Sequence, residues 1–185
     1  MNFYLVAWEG RRSLALTCRA VLRLSPRMPW VTKLPEDVLE KVPTEADWRA
    51  EPWCLDIPNA YRNFFGKTVE EAEALFNCGV MAHQEDVAFM PAIPKCYYLQ
   101  AYSRYLLSER SRGDADNANC YLSLIALMAE YGPRVPPALE RLINETLDRI
   151  GGGQDFFDAE ERFYGSFKDR AAKARRFTTP ENDHS

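Results

Sequence analysis

His83, Glu85 and Asp86 place an imidazole and two carboxylates within a single helical turn, the densest patch of reactive side chains in the chain. Such a set can hold a metal or supply a general base. As a metal site it is incomplete. The H-E-x-x-H spacing is missing, and the other histidine, His184, lies in the C-terminal tail. The same stretch also reads as a helix whose Glu85 and Asp86 face water while Val87, Phe89 and Met90 pack inward. With one internal histidine, Ser–His or Cys–His chemistry would have to run through His83, and no G-x-S-x-G elbow is present.

Gly66-Lys67-Thr68 matches the end of a phosphate-binding loop and stands before a helix start, where anions bind. The first glycine of that motif would fall at position 61, which is Tyr61, and bulky Arg62 to Phe65 fill the stretch where backbone amides must approach a phosphate. A turn at Gly66 and a helix cap at Thr68 account for the same residues. The basic end from Lys168 to Arg176 could touch phosphate, but it also has the sign that a helix C-terminus prefers. Tyr97 and Arg104 lie two turns apart on one side of a tyrosine-rich helix. They are candidates for a partner-binding face, because tyrosine and arginine are favoured at interface hot spots.

The chain has 185 residues, of which 46% are hydrophobic and 27% charged, so it can bury one core and lies far from disordered composition. Its net charge is −4, unevenly spread. Residues 1–30 carry five arginines against Glu9 and stand at +4, which leaves −8 for the other 155 residues. This balance argues against nucleic acid and anionic membrane as partners and for a basic protein. The five cysteines are odd in number and include no C-x-x-C pair, which suits a reducing, cytoplasmic setting. No apolar run approaches the roughly 18 to 20 residues that would span a bilayer. Nothing in the spacing calls for a metal or a cofactor.

These side chains would be positioned by a mainly α architecture, a single-domain orthogonal or irregular bundle of about five to seven helices. Residues 1–27 read as an N-terminal extension, with Met28 as a second candidate start, a short strand at Met1 to Trp8 and a helix at Ser13 to Leu24. The folded domain is expected over 28–177 and a flexible tail over 178–185. Prolines at 29, 35, 43, 52 and 58 and tryptophans at 30, 48 and 53 make the first part of the domain a wrapping segment, with one short helix over Glu36 to Lys41. The body then opens at Thr68-Val-Glu-Glu71, a capping box. Further helices are expected from Pro94 to before Gly113, from Asp114 or Asp116 to Gly132-Pro133, and from Pro136-Pro137 to the glycines at 151–153. The one that opens at Asp114 or Asp116, with Tyr121, Leu122, Leu124, Ile125, Leu127 and Met128 on nearly every face, is expected at the centre of the core. A last helix is expected over Phe156 to Arg176, with Phe156, Phe163, Phe167, Ala171 and Ala174 on one stripe.

Asn63-Phe-Phe-Gly-Lys-Thr68-Val-Glu-Glu-Ala72, Gln84-Glu-Asp86 and Tyr97-Tyr-Leu99-Gln-Ala101 together resemble small bacterial proteins from toxin–immunity gene neighbourhoods. The resemblance covers residues 60–110 and implies a small intracellular bacterial protein of a group with no assigned chemistry. With the acidic body and the lack of a complete catalytic set, it leads to a non-enzymatic, immunity-like inhibitor of a basic partner, contacting it through Glu85, Asp86, Tyr97 and Arg104. The competing expectation is a small-ligand binder or enzyme that uses His83, Glu85 and Asp86 in a pocket bordered by tyrosines. A third is a helical assembly subunit with an apolar surface on its last helix.

Overall fold

The computed structural model describes residues 34–49, 57–77, 82–131 and 134–175, all within the unit Val31–Ser185. The expected strand and helix of residues 1–27, Trp30, Trp53 and the 178–185 tail lie outside the described residues. Among the described residues there is no strand, and the domain is a helical bundle. Its helices are α1 (Glu45–Trp48), α2 (Ile57–Phe64), α3 (Val69–Phe76), α4 (Ala82–Phe89), α5 (Ala92–Leu107), α6 (Ala115–Tyr131), α7 (Pro137–Gly152), α8 (Glu161–Tyr164) and α9 (Phe167–Arg175). Seven run for eight residues or more, and α1 and α8 are single turns.

Helix starts follow local chemistry. At α3 the Thr68 hydroxyl accepts the Glu71 amide at 3.3 Å, and the Glu71 carboxylate accepts the Thr68 amide at 2.9 Å, so two amides with no helical partner are satisfied together. Gly66 makes the preceding turn with φ +77°. Asp114 caps α6 by accepting the Asn117 amide at 3.0 Å. The expected helix over Glu36 to Lys41 is instead a run of turns, with the Val38 amide donating to Pro35 O at 3.2 Å and the Lys41 amide to Asp37 O at 3.3 Å. Pro35 and Pro43 bracket too short a stretch for more. A helical turn forms later, at α1, where the Asp47 carboxylate accepts the Thr44 amide at 2.7 Å.

The most enclosed helix is α5, not α6 as the apolar run of α6 suggests. Eleven of its sixteen residues are buried, whereas α6 leaves Ser123 exposed and Ala126 and Leu127 half-buried. Tyrosine makes this possible, because a phenol can be buried once its hydroxyl finds an acceptor. Tyr98 donates to Phe64 O at 2.6 Å, Tyr102 to Asn117 O at 2.7 Å and Tyr105 to the Asp114 carboxylate at 2.7 Å, which ties α5 to α2 and to the start of α6. The stretch before α2 is anchored by buried Trp48, edge-on to Tyr61 at 5.5 Å, and by Gln100, whose side-chain amide donates to Leu39 O at 3.0 Å.

The expected single helix over Phe156 to Arg176 is broken. A turn over 154–158, the single turn α8 and Gly165 at φ +71° separate it from α9. The helical period therefore does not carry across. Phe157 is buried in place of Phe156, and Phe163 leaves the apolar stripe altogether. Helix α9 keeps Phe167, Ala171 and Ala174 against the core, so its apolar residues are not an assembly surface.

Candidate functional site

Helix α4 carries the His83, Glu85 and Asp86 cluster and separates it. Positions 83 and 86 are one turn apart and share a face, while Glu85 points away and is exposed. Asp86 is buried and accepts the Asn63 side-chain amide at 2.7 Å, with His83 Nδ1 at 3.4 Å. The His83 ring stands edge-on to Phe64, with centroids 5.9 Å apart. Asn63 and Phe64 belong to α2, so this group fastens α4 to α2. The Asp86–His83 contact could orient an imidazole, as in a catalytic triad, but the second carboxylate does not join it. Among the described residues no group of three or more His, Cys, Asp or Glu is placed to hold a metal.

Tyr97 and Arg104 do not form one surface. Tyr97 is 4% exposed and edge-on to Tyr98 at 5.0 Å. Burial pushes its phenol above the usual range. Arg104 is exposed and pairs with Glu70 at 2.8 Å. The burial of Tyr97 removes the ring from any partner's reach. At the earlier phosphate-loop candidate, the Thr68–Glu71 cap fills the helix start with a carboxylate, and Lys67 O accepts from Tyr98 at 3.1 Å. Of the basic C-terminal stretch, Arg170 is bonded to Asn119 and Ser123, and Arg175 pairs with Asp148.

The most prominent surface feature is one that the sequence pattern assigned to the core. Phe163 is 67% exposed, beside a run of exposed acids, Asp155, Asp158, Glu160 and Glu161. Glu160 pairs with Arg162, whose guanidinium lies 4.5 Å from the Phe163 ring centroid; Asp155, Asp158 and Glu161 pair with no described cation. This turn is built firmly. Gln154 donates to Ala159 O at 2.9 Å and Gly165 O at 3.0 Å and accepts the Phe167 amide at 3.0 Å, clasping both ends of the turn. Phe157 anchors it in the core, and Phe156 lies between the guanidinium groups of Arg112 and Arg149, at 4.4 and 3.8 Å. Asp158 holds a left-handed backbone, φ +53°, an uncommon state that aspartate tolerates better than most residues. The available sequence signals were Gly165 as a breaker and the acid density from 155 to 161.

The turn adjoins a polar depression of about 290 Å³ at the start of α6. Its wall includes Gln84, Tyr105, Asn117, the carboxylates of Asp114 and Asp116, and the arginines Arg110 and Arg112. The two features are joined by Gly113, whose amide donates to Phe156 O at 3.0 Å, and by Tyr164, whose hydroxyl donates to Asp116 at 3.2 Å.

Fold and surface together define a helical bundle that presents a rigid acidic turn with an exposed aromatic ring. No protein-family model, curated protein or solved structure matches the chain.

Proposed function

We propose that the chain is a non-enzymatic protein-binding domain, an immunity-like inhibitor that docks on a basic partner. The observation that carries this reading is the clasped turn over 154–165, which offers Phe163 among exposed Asp155, Asp158 and Glu161. An aromatic anchor inside a charged rim has the make-up of an interface hot spot, and negative charge around it steers and orders the approach of a positive surface. Because Gln154 and Phe157 already fix the turn, little conformational freedom is lost on binding. The −8 balance outside residues 1–30 and the resemblance over 60–110 support the same reading. Of the four residues expected at the interface, Asp86 and Tyr97 are buried, while Glu85 and Arg104 are exposed and remain open to a partner along with the 154–165 turn.

The test is affinity isolation of the tagged full chain from its native cell, beside a Phe163→Ala variant. The expected result is a stoichiometric basic protein with the wild-type chain that is lost or strongly depleted with the variant. Equal recovery with both, or no basic protein at all, overturns the proposal.

A further inference from the structure

The depression beside the acidic turn has an unbalanced hydrogen-bond inventory. Gln84 and Asn117 line it and are 5% and 4% exposed, and each keeps one amide oxygen fully buried with no partner among the described residues. The orientation of the Asn117 amide is set by its nitrogen, which donates to Phe76 O at 3.3 Å and to Asp114 at 2.6 Å. Buried acceptors left without a donor are costly, and two on one wall call for a donor from outside the chain, a water or a ligand. The lining also holds the carboxylates of Asp114 and Asp116 beside the guanidinium groups of Arg110 and Arg112. Asp114 accepts from the Asn117 backbone and from Tyr105, and the Asp116 carboxylate accepts from Tyr164.

The donors at the rim are turned elsewhere. Arg110 pairs with Glu73, while Arg112 pairs with Glu109 and covers Phe156. With both arginines paired to carboxylates outside the lining, the two orphan oxygens and the two aspartates favour a ligand that brings donors and positive charge. An anion meets Asp114 and Asp116 where it would need the free amides of a helix start.

We infer that this depression is a socket for a guanidinium or alkylammonium group, received by Gln84, Asn117 and the carboxylates of Asp114 and Asp116. Its volume of about 290 Å³ is at the lower edge of the roughly 300–1,000 Å³ clefts that enclose drug-sized ligands, so it suits one inserted side chain. The hydrogen bond from Gly113 to Phe156 makes the socket continuous with the acidic turn. An arginine or lysine of the basic partner would enter it while another group of the partner covers Phe163. The source of the cation thus rests on the proposed function, whereas the chemistry of the socket does not.

The probes are a blocked arginine amide, a blocked lysine amide and the free polyamine spermidine, each titrated into the ¹⁵N-labelled full chain. The expected result is fast-exchange shifts at Gln84, Gly113 and Asn117 with the blocked amino acids. In a Gln84→Met variant, which keeps the side chain's length without its acceptor, affinity should fall about tenfold. An Asp116→Asn variant checks the carboxylate, and thermal melts establish that both variants fold. Spermidine binding more tightly than the blocked arginine would assign the socket to free amines and overturn the partner's side chain as its occupant. Unchanged affinity in Gln84→Met, or no shift with any cation, overturns the socket itself. Loss of partner capture in Phe163→Ala with socket binding intact would separate the two inferences.

Discussion

A carboxylate held inside a protein must be matched by donors, and Asp86 has Asn63 at 2.7 Å with His83 at 3.4 Å, while Glu85, one residue earlier, has water. Their stability effects should differ accordingly. Asp86→Ala leaves the half-buried Asn63 amide without its acceptor and is expected to cost about 1–3 kcal/mol in urea denaturation. Glu85→Ala is expected to stay within about 0.5 kcal/mol of wild type. Equal effects would contradict the placement of the pair. The cluster was visible in the sequence as residue types, and helical spacing alone already separates 85 from 83 and 86. What the sequence did not carry was Asn63, because its contact with Asp86 comes from the packing of α2 on α4. Gln84 escaped for the same reason: an amide among charged neighbours gives no signal until its surroundings are known.

At the scale of elements, starts were legible and interruptions were not. Thr68 with Glu71 marks the start of α3 because both partners of the cap are local in sequence. The break at Gly165 depends on which of two periodic aromatics, Phe156 or Phe157, the core accepts. Gly165 has φ +71° and ψ 179°, a region closed to residues with a Cβ, although an added Cβ would meet nothing within 4 Å. Gly165→Ala is therefore expected to cost about 1–3 kcal/mol through backbone strain alone, read as a lowered thermal midpoint. A stability equal to wild type would contradict the turn. The exchange of roles between α5 and α6 has a similar origin. Hydropathy ranks the Leu and Ile of α6 above tyrosine, but Tyr98, Tyr102 and Tyr105 of α5 each found a hydroxyl partner and could be buried whole.

For the whole molecule, a core filled with phenols and a thiol has a definite pH signature. Burial pushes the Cys96 thiol from its ordinary 9.0 up to about 12, and desolvation also raises Tyr98, Tyr102 and Tyr121 above their ordinary 10.0. These groups ionise more readily when unfolded, so the folded state holds more protons above about pH 9 and stability falls as pH rises. The contribution is complete below pH 9.0 and is lost progressively toward about 12. The urea midpoint should therefore be level up to about pH 9 and drop steadily above it, and a flat profile to about pH 11 would contradict the buried assignment. The acidic surface acts on a different quantity, the rate and strength of association with a positive surface, and salt should weaken it. The measurement that tests this most directly is calorimetric titration of the captured partner into the wild-type chain and into the triple variant Asp155→Asn, Asp158→Asn, Glu161→Gln, at low and high salt. Docking through the turn predicts that the triple variant binds about tenfold more weakly at low salt and that its affinity depends less on salt. Equal affinity and equal salt dependence for the two chains would contradict it.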